Sequence, residues 1–261
     1  KVGLDWRLAE DALVYASVAK GFKGAGVNGN FLIDLGGRLD YDSEDLYAYE
    51  IGIKSSPLDG TMQFNASVFY YDYSDAQIFN NDPVPGIGLP ANIIRNADIT
   101  MSGADLDLTW APTDELFLQL GVGYLDGEYD EDILDPVTGL LPIEGNQLQN
   151  TPEWSAFGLA SYQWALGDGG SITALLDATY TDDIYYNARQ DLVIGQKAYT
   201  ITNARLSYRT ASEDIEVALW AKNLSNKEYA TYSFDLRPDF GFVQYMRGVP
   251  RTLGFDLKYS F

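Results

Sequence analysis

The last residues of the chain alternate between apolar side chains and polar or very small ones. This period of two predicts a β-strand with one apolar face, which carries no charge and ends in aromatic residues. An edge strand of a soluble sandwich has a similar pattern, but chain termini usually fray unless they are buried. A strand of about ten residues with an apolar face and aromatic ends is typical of a transmembrane β-barrel. The alternating residues are Leu253, Gly254, Phe255, Asp256, Leu257, Lys258, Tyr259, Ser260 and Phe261.

The same pattern recurs along the chain in about eleven segments, which predicts an all-β, transmembrane antiparallel β-barrel built of consecutive hairpins. The connections alternate between short turns and long loops, as they do in outer-membrane barrels, and the C-terminus falls on the short-turn side. The phase of the segment 153–166 stays open because both of its faces carry aromatic side chains. The predicted strands span residues 1–8, 12–23, 46–55, 61–79, 96–110, 116–129, 153–166, 171–187, 198–210, 215–230 and 251–261.

Composition narrows the class of protein. The chain has 261 residues, a formal net charge of -21 and neither Cys nor His. No run of eighteen apolar residues occurs, which excludes a transmembrane helix. It does not exclude a barrel, because successive side chains of a barrel strand point alternately to lipid and to the lumen. The acidic excess argues against nucleic acid as a partner. The absence of Cys is consistent with exposure to the periplasm.

The residue types also limit the chemistry of the chain. Without His, the chain cannot build a Ser-His nucleophile, a His-ligated haem site or a His metal triad. No Walker loop or zinc-ligand spacing is present. The acidic segment 126–135 has carboxylates suited to Ca²⁺, but it lacks the spacing of a calcium loop and is predicted to be a solvated loop. We therefore expect no enzymatic activity, no cofactor and no metal site.

Five segments, in matching order along nearly the whole chain, resemble motifs of TonB-dependent receptors. One of them has an Asp, Asp105, where the family motif has a Glu. The segments and the motifs that they resemble are 19–28 (Gly-Phe-Lys-x-Gly), 49–55 (Tyr-Glu-x-Gly-x-Lys), 103–108 (Gly-x-Glu-Leu-x-Leu), 223–229 (Asn-Leu-Phe-Asp-x-x-Tyr) and 248–254 (Pro-Arg-Thr).

The resemblance implies a 22-stranded barrel with a plugged lumen, of which residues 1–261 would form the C-terminal half. The chain opens within a strand-like pattern and shows no plug domain, no first half of the barrel and no TonB-binding motif, so we expect these parts upstream. The implied location is the outer membrane of a Gram-negative bacterium, as a multi-pass protein. The implied function is import of a scarce solute, most often a ferric siderophore, by TonB-coupled movement of the plug. The implied partners are outer-membrane lipid, the TonB energy-coupling complex and a small-molecule metal chelate or similar solute.

Three groups of candidate functional residues follow from this resemblance. Aromatic and Arg side chains in the long connections suit an anionic, catecholate-rich iron chelate, although they also suit an aromatic girdle or loop packing. These candidate ligand-binding residues are Tyr185, Tyr186, Arg189, Phe234, Arg237, Phe240, Phe242 and Tyr245. The candidates for the surface that faces the lumen and the plug, or merely lines a wet interior, are Glu50, Lys54, Asp105, Asp107, Arg205, Glu216 and Lys222.

The third group is the C-terminal residues Thr252, Gly254, Leu257, Tyr259 and Phe261. Their spacing resembles the assembly signal of bacterial outer-membrane proteins, which implies the outer-membrane assembly machinery as a further partner. Three alternatives stay open for the whole chain. They are a passive porin, a receptor for a non-iron solute such as cobalamin or an oligosaccharide, and a soluble lectin-like sandwich. The alternation of short and long connections argues against the sandwich.

Overall fold

The computed structural model describes residues 1–29, 40–80, 93–135 and 139–261. Within these ranges, eleven strands form one antiparallel sheet in chain order, with β1 and β19 at its edges. The predicted all-β antiparallel fold is therefore confirmed. The sheet strands are β1 (Val2–Ala9), β2 (Ala12–Lys23), β5 (Glu44–Ser55), β6 (Met62–Asn80), β7 (Ile93–Trp110), β8 (Leu116–Tyr129), β11 (Trp154–Ala165), β12 (Ser171–Thr181), β15 (Tyr199–Arg209), β16 (Ile215–Lys222) and β19 (Thr252–Tyr259).

The remaining elements are short and lie in the long connections, which meet at the end of the sheet that we call the upper end. None of the helices within the described ranges is long and apolar enough to cross a membrane. The short elements are β3 (Gly26–Val27), β4 (Asp40–Tyr41), β9 (Ile133–Asp135), β10 (Gly139–Leu141), β13 (Ile184–Tyr185), a 3₁₀ turn (Leu192–Ile194), β14 (Gly195–Gln196), β17 (Ala230–Leu236), the one-turn helix α1 (Arg237–Phe240) and β18 (Phe242–Arg247).

The predicted strands 171–187 and 215–230 are too long. In the structure β12 ends at Thr181 and β16 ends at Lys222, and a side-chain hydrogen bond follows each strand end. After β12, the Asp183 carboxylate accepts a hydrogen bond from the Ala198 backbone N–H at 2.6 Å, which joins the two ends of the connection between β12 and β15. After β16, Asn223 adopts a φ of 49°, and its side-chain oxygen accepts a hydrogen bond from the Lys227 N–H at 2.8 Å. Asn tolerates this left-handed backbone and so ends the strand.

The two faces of the sheet differ in composition. Residues paired directly across an antiparallel ladder point to the same face. One such row crosses seven strands and is apolar throughout, so we call its face the outer face and the opposite one the inner face. The row consists of Leu4, Ala16, Ile51, Val68, Ala104, Tyr124 and Trp154.

The register settles the phase of β11, which the sequence left open. Trp154 pairs with Tyr124, and Tyr162 pairs with Leu116, so both lie on the outer face together with Trp164. The ten residue steps between Trp154 and Trp164 span about 33 Å of strand. With a tilt of about 40°, this is about 25 Å along the membrane normal, the height of the apolar band of an outer-membrane barrel.

The polarity of both faces reverses toward the upper end, and β7 shows this within one strand. On its inner face, Ala97 and Ile99 are buried, whereas Asp105 is exposed lower down. On its outer face, the exposed Asp98 gives way to Leu106. The β7–β8 ladder is unbroken from Ile99 to Trp110, so the reversal reflects a change of surroundings and not a slip in that ladder.

The inner face of the upper end forms a conventional hydrophobic core. A bulge in β6 at Asp75, whose φ is 55° and whose N–H donates to Asp98 at 2.9 Å, keeps Ala76 on this face. The segment 126–135, predicted as a solvated loop, instead completes β8 and opens a hairpin over this core. The core consists of Ala76, Ile78, Ala97, Ile99, Tyr129, Ile133, Leu141, Ile143, Leu148 and Ala188.

Candidate functional site

The predicted ligand-binding residues fall on two connections at the upper end, and these connections pack on each other. Tyr186 is buried with Ile194 and Ala230, and Tyr232 packs against them. The Tyr186 hydroxyl donates to the Ala230 carbonyl at 2.9 Å, and burial raises the pKa of Tyr186 to about 12. The Ser233 hydroxyl donates to the Ile194 carbonyl at 2.8 Å. Tyr186 therefore anchors the β17–β18 hairpin and presents no free ring surface.

Arg237 is held by two carboxylates. Its Nε and Nη2 donate to the two oxygens of Asp235, each at 2.8 Å, and Nη2 also contacts the Asp191 carboxylate. The guanidinium lowers the pKa of Asp235 below its usual range. Because these two carboxylates offset its charge, Arg237 fastens the hairpin tip to the 3₁₀ turn, and its contact with an anionic chelate stays a prediction.

The aromatic residues at the tip of the hairpin are more accessible. Phe240 is 59% exposed and Phe242 is 50% exposed, with ring centroids 6.1 Å apart. Tyr245 is 44% exposed, and its hydroxyl is fixed by donation to the Val193 carbonyl at 2.6 Å. Arg189 is also exposed. These four residues and Arg237, which is exposed but paired with Asp235 and Asp191, form the accessible part of the predicted set. Tyr185 and Phe234 are half-buried.

All seven predicted lumen- or plug-facing residues lie on the inner face, in two groups. The first group is Glu50, Lys54, Asp105 and Asp107. The last three line an open pocket of about 520 Å³. The Tyr15 hydroxyl donates to Glu50, and the Lys54 ammonium lies 5.6 Å from the centroid of the Tyr15 ring.

Glycine makes room in this pocket. At Gly123 a Cβ would lie 2.9 Å from the Ser155 hydroxyl and 3.2 Å from an Asp105 carboxylate oxygen. Within the described residues, neither Asp105 nor Asp107 forms a salt bridge. The pocket therefore holds more carboxylates than cations, and it suits a positively charged group.

The second group, near the C-terminal edge, is a closed network of ion pairs. Arg205 bridges three strands by donating to Glu216 at 3.0 Å and to Asp256 at 2.6 Å. The Trp220 indole N–H also donates to Asp256 at 3.1 Å, and the Lys222 ammonium lies 5.7 Å from the Trp220 ring centroid. These contacts fix β19 against β15 and β16.

The predicted assembly signal includes one residue with a clear packing role. The Trp220 ring lies across Gly254, where an added Cβ would be 2.0 Å from the ring. Thr252 pairs with Lys222 on the inner face, while Leu257 and Tyr259 are exposed on the outer face. The Tyr259 and Phe261 rings lie 6.4 Å apart. Recognition of this segment by assembly machinery stays a prediction.

Sequence reasoning missed the partners that decide what these residues do. Asp191 and Asp235 neutralise Arg237, Tyr15 holds Glu50, and Trp220 covers Gly254. The spacing of Asp235 and Arg237 is a local signal, but Asp191 lies 46 positions away. Within the described residues, no group of three or more His, Cys, Asp or Glu side chains is placed to hold a metal ion.

Comparisons with known proteins agree on one family. The family model described as "TonB dependent receptor-like, beta-barrel" matches residues 1–224. A curated relative, the "Probable TonB-dependent siderophore receptor PiuA" of Acinetobacter baumannii, is 23% identical over 243 residues, which cover 90% of this chain and 31% of the relative. The chain thus spans about a third of the length of this relative.

Solved structures of similar proteins show the same fold. The ferric yersiniabactin uptake receptor FyuA from Yersinia pestis has a TM-score of 0.79 and 18% identity, over 99% of this chain and 36% of that one. The siderophore receptor PiuA from Acinetobacter baumannii has a TM-score of 0.75 and 20% identity, over 98% of this chain and 35% of that one. The sheet thus corresponds to part of a larger barrel.

Proposed function

Because the chain belongs to the TonB-dependent receptor β-barrel family, we propose that it is part of a receptor that imports a ferric siderophore across the outer membrane of a Gram-negative bacterium. One observation carries the choice of solute. The chain is similar along 90% of its length to a curated protein described as a siderophore receptor. TonB would supply the energy for transport, and outer-membrane lipid would contact the outer face.

The contact surface for the chelate would be the exposed part of the predicted set. Phe240, Phe242 and Tyr245 present aromatic surface next to solvent, and Arg189 adds an exposed guanidinium. Aromatic stacking and a cation suit a planar, anionic metal chelate. Tyr186 and Arg237 would contribute indirectly, by holding this surface in place.

The inner-face pocket would receive part of the plug. Asp105 and Asp107 lack a cationic partner within the described residues, so a cationic plug side chain would complement them. Lys54 and the Tyr15–Glu50 pair would border this contact. Such a contact would be released or rearranged when TonB moves the plug.

The test is uptake of radiolabelled iron by a Gram-negative strain that lacks its own siderophore receptors and produces the full-length gene product. We expect a ferric siderophore to enter at a rate that collapses when TonB is deleted. Phe240→Ala with Phe242→Ala should raise the half-saturating chelate concentration, whereas Leu140→Ala, on another loop, should not. Uptake that is independent of TonB, together with a continuously open pore in planar bilayers, would contradict the proposal and indicate a porin.

A further inference from the structure

Three long connections at the upper end contact one another through the middle one. They span residues 130–153, 182–198 and 223–251 and follow β8, β12 and β16. We call 182–198 the middle connection. Surface loops usually move independently unless buried contacts join them, so the contacts of the middle connection decide how these three move.

The β17–β18 hairpin rests on the middle connection. The Tyr186 and Ser233 hydroxyls bond across this boundary, as described above, and the Ala230 N–H donates to the Gln196 side-chain oxygen at 2.7 Å. Apart from β18 and the adjoining helix α1, β17 packs chiefly on β14 and the 3₁₀ turn, which both belong to the middle connection. The position of the hairpin therefore depends on the position of this connection.

The opposite side of the middle connection is joined to 130–153 by fewer bonds. The Asn146 side-chain amide donates to the Ala188 carbonyl at 2.9 Å, and the Asn150 N–H donates to the Tyr185 carbonyl at 2.8 Å. Ala188 is 7% exposed and is part of the upper core. This boundary is therefore the weaker of the two, and each of its bonds matters more.

The middle connection links two buried clusters with almost no chain between them. Ala188 is buried in the upper core, and Tyr186, two residues earlier, is buried in the cluster that anchors the hairpin. The side chain of the intervening Asn187 accepts a hydrogen bond from the Asp191 N–H at 3.2 Å. Because a single residue separates them, the two clusters cannot shift relative to each other without rearranging this backbone.

We propose that the three connections move as one unit, in which the middle connection positions the hairpin tip relative to the upper core. Asn146 and Ala188 are then positioning residues for the exposed rings of the tip, Phe240 and Phe242, and set the affinity for the chelate from a distance. Holding these rings in place before binding lowers the entropic cost of binding. The identity of what binds at the tip rests on the proposed function, whereas the existence of the unit does not.

The first test needs no chelate and uses hydrogen exchange of the full-length gene product in lipid nanodiscs, followed by mass spectrometry. Asn146→Leu keeps the approximate size of the side chain but leaves the carbonyl of the buried Ala188 without its donor. We expect the amides of 184–196 and 230–236 to exchange about five- to tenfold faster than in the unmodified protein.

Gln147→Leu is the matched control. The Gln147 side-chain amide also donates to a backbone carbonyl, that of Thr151, but this bond lies within 130–153 and reaches no other connection. The control variant should therefore leave exchange in 184–196 and 230–236 unchanged.

The second test separates positioning from a general loss of folded receptor. It measures uptake of radiolabelled iron, supplied as a catecholate siderophore, by the receptor-deficient strain described above. Asn146→Leu should raise the half-saturating concentration about three- to tenfold, because the tip is correctly placed for a smaller fraction of the time. The maximum rate should not change, whereas a smaller amount of folded receptor would lower the maximum rate instead.

The proposal is overturned if exchange in 230–236 stays unchanged in Asn146→Leu, or if Gln147→Leu accelerates it equally. Faster exchange with an unchanged half-saturating concentration would also overturn it, since the tip would then not depend on the unit. If the unmodified protein shows no TonB-dependent uptake while the exchange pattern is as expected, the proposed function fails and the common movement of the three connections stands.

Discussion

The lower and upper parts of β7 belong to one strand, whose ladder with β8 is unbroken from Ile99 to Trp110, yet the two parts have opposite patterns. In the lower part Leu106 and Leu108 point outward and Asp105 and Asp107 inward, whereas in the upper part Asp98 points outward and Ile99 inward. Backbone geometry is the same in both parts, so the pattern reports the surroundings of each face. We infer that the lower part faces lipid, whereas the upper part packs around its own core as a soluble protein does.

The largest effect is expected from a charge on the lipid-facing surface. Leu120 lies on the outer face near the middle of the apolar band, so Leu120→Arg should cost about 2–4 kcal/mol of folding free energy in a bilayer. Ser102→Arg is on the same face above the band and should cost less than about 1 kcal/mol. Urea titration in lipid vesicles measures the free energy of unfolding of both variants. Equal losses of stability would refute the position assigned to the upper edge of the apolar band.

A cavity in the upper core should destabilise that core and leave the lower half of the sheet unaffected. Ile143 is fully buried in that core, so Ile143→Ala should destabilise it by about 2–3 kcal/mol, while Leu140→Ala, at an exposed position, should cost little. Hydrogen exchange should accelerate at the amides of 139–148 and stay unchanged in the lower half of the sheet. Equal acceleration in both regions would show that the two parts unfold as one unit.

An added methyl group at Gly254 should strain the packing of Trp220. Gly254→Ala should cost about 1–3 kcal/mol by overpacking, because the new Cβ would lie within 2.0 Å of the ring. Gly158→Ala is the matched control, since no atom lies within 4 Å of its added Cβ. A double-mutant cycle with Trp220→Ala tests the cause, and additive effects of the two substitutions would rule it out.

The smallest effect is the pH dependence of the β17–β18 hairpin. The pKa of Tyr186 is raised to about 12, so the stabilisation from its buried phenol is complete below about pH 10 and is lost as pH rises toward 12. The pKa of Asp235 is lowered, so the stabilisation from its ion pair with Arg237 is present at neutral pH. That stabilisation is lost as pH falls through the pKa of Asp235. Hydrogen exchange at 230–236 should show both losses. Tyr186→Phe should remove the alkaline one, and an unchanged alkaline profile in this variant would contradict the role of Tyr186.

Much of the fold could be predicted from the sequence, because a period of two and short turns identify strands without tertiary information. The phase of β11 could not be predicted, because Phe157 and Leu159 make its inner face apolar as well. Only the pairing of β11 with β8 shows which face points outward. The upper core was not predicted, because its residues come from the upper ends of β6, β7 and β8 and from connections that are distant in sequence. Among the candidate site residues, the sequence identified the inner-face charges but not the burial of Tyr186 or the pairing of Arg237.

The most direct test of the two-part account is the accessibility of single spin labels along β7. The chain has no Cys, so single Cys substitutions at positions 98 to 108 can be labelled within it and studied in bilayers. We predict that labels at the outer-face positions 98 and 100 are accessible to a water-soluble paramagnetic reagent. Labels at the outer-face positions 104, 106 and 108 should instead be accessible to oxygen dissolved in lipid. Water access at all of these outer positions would contradict the claim that lipid covers the lower outer face.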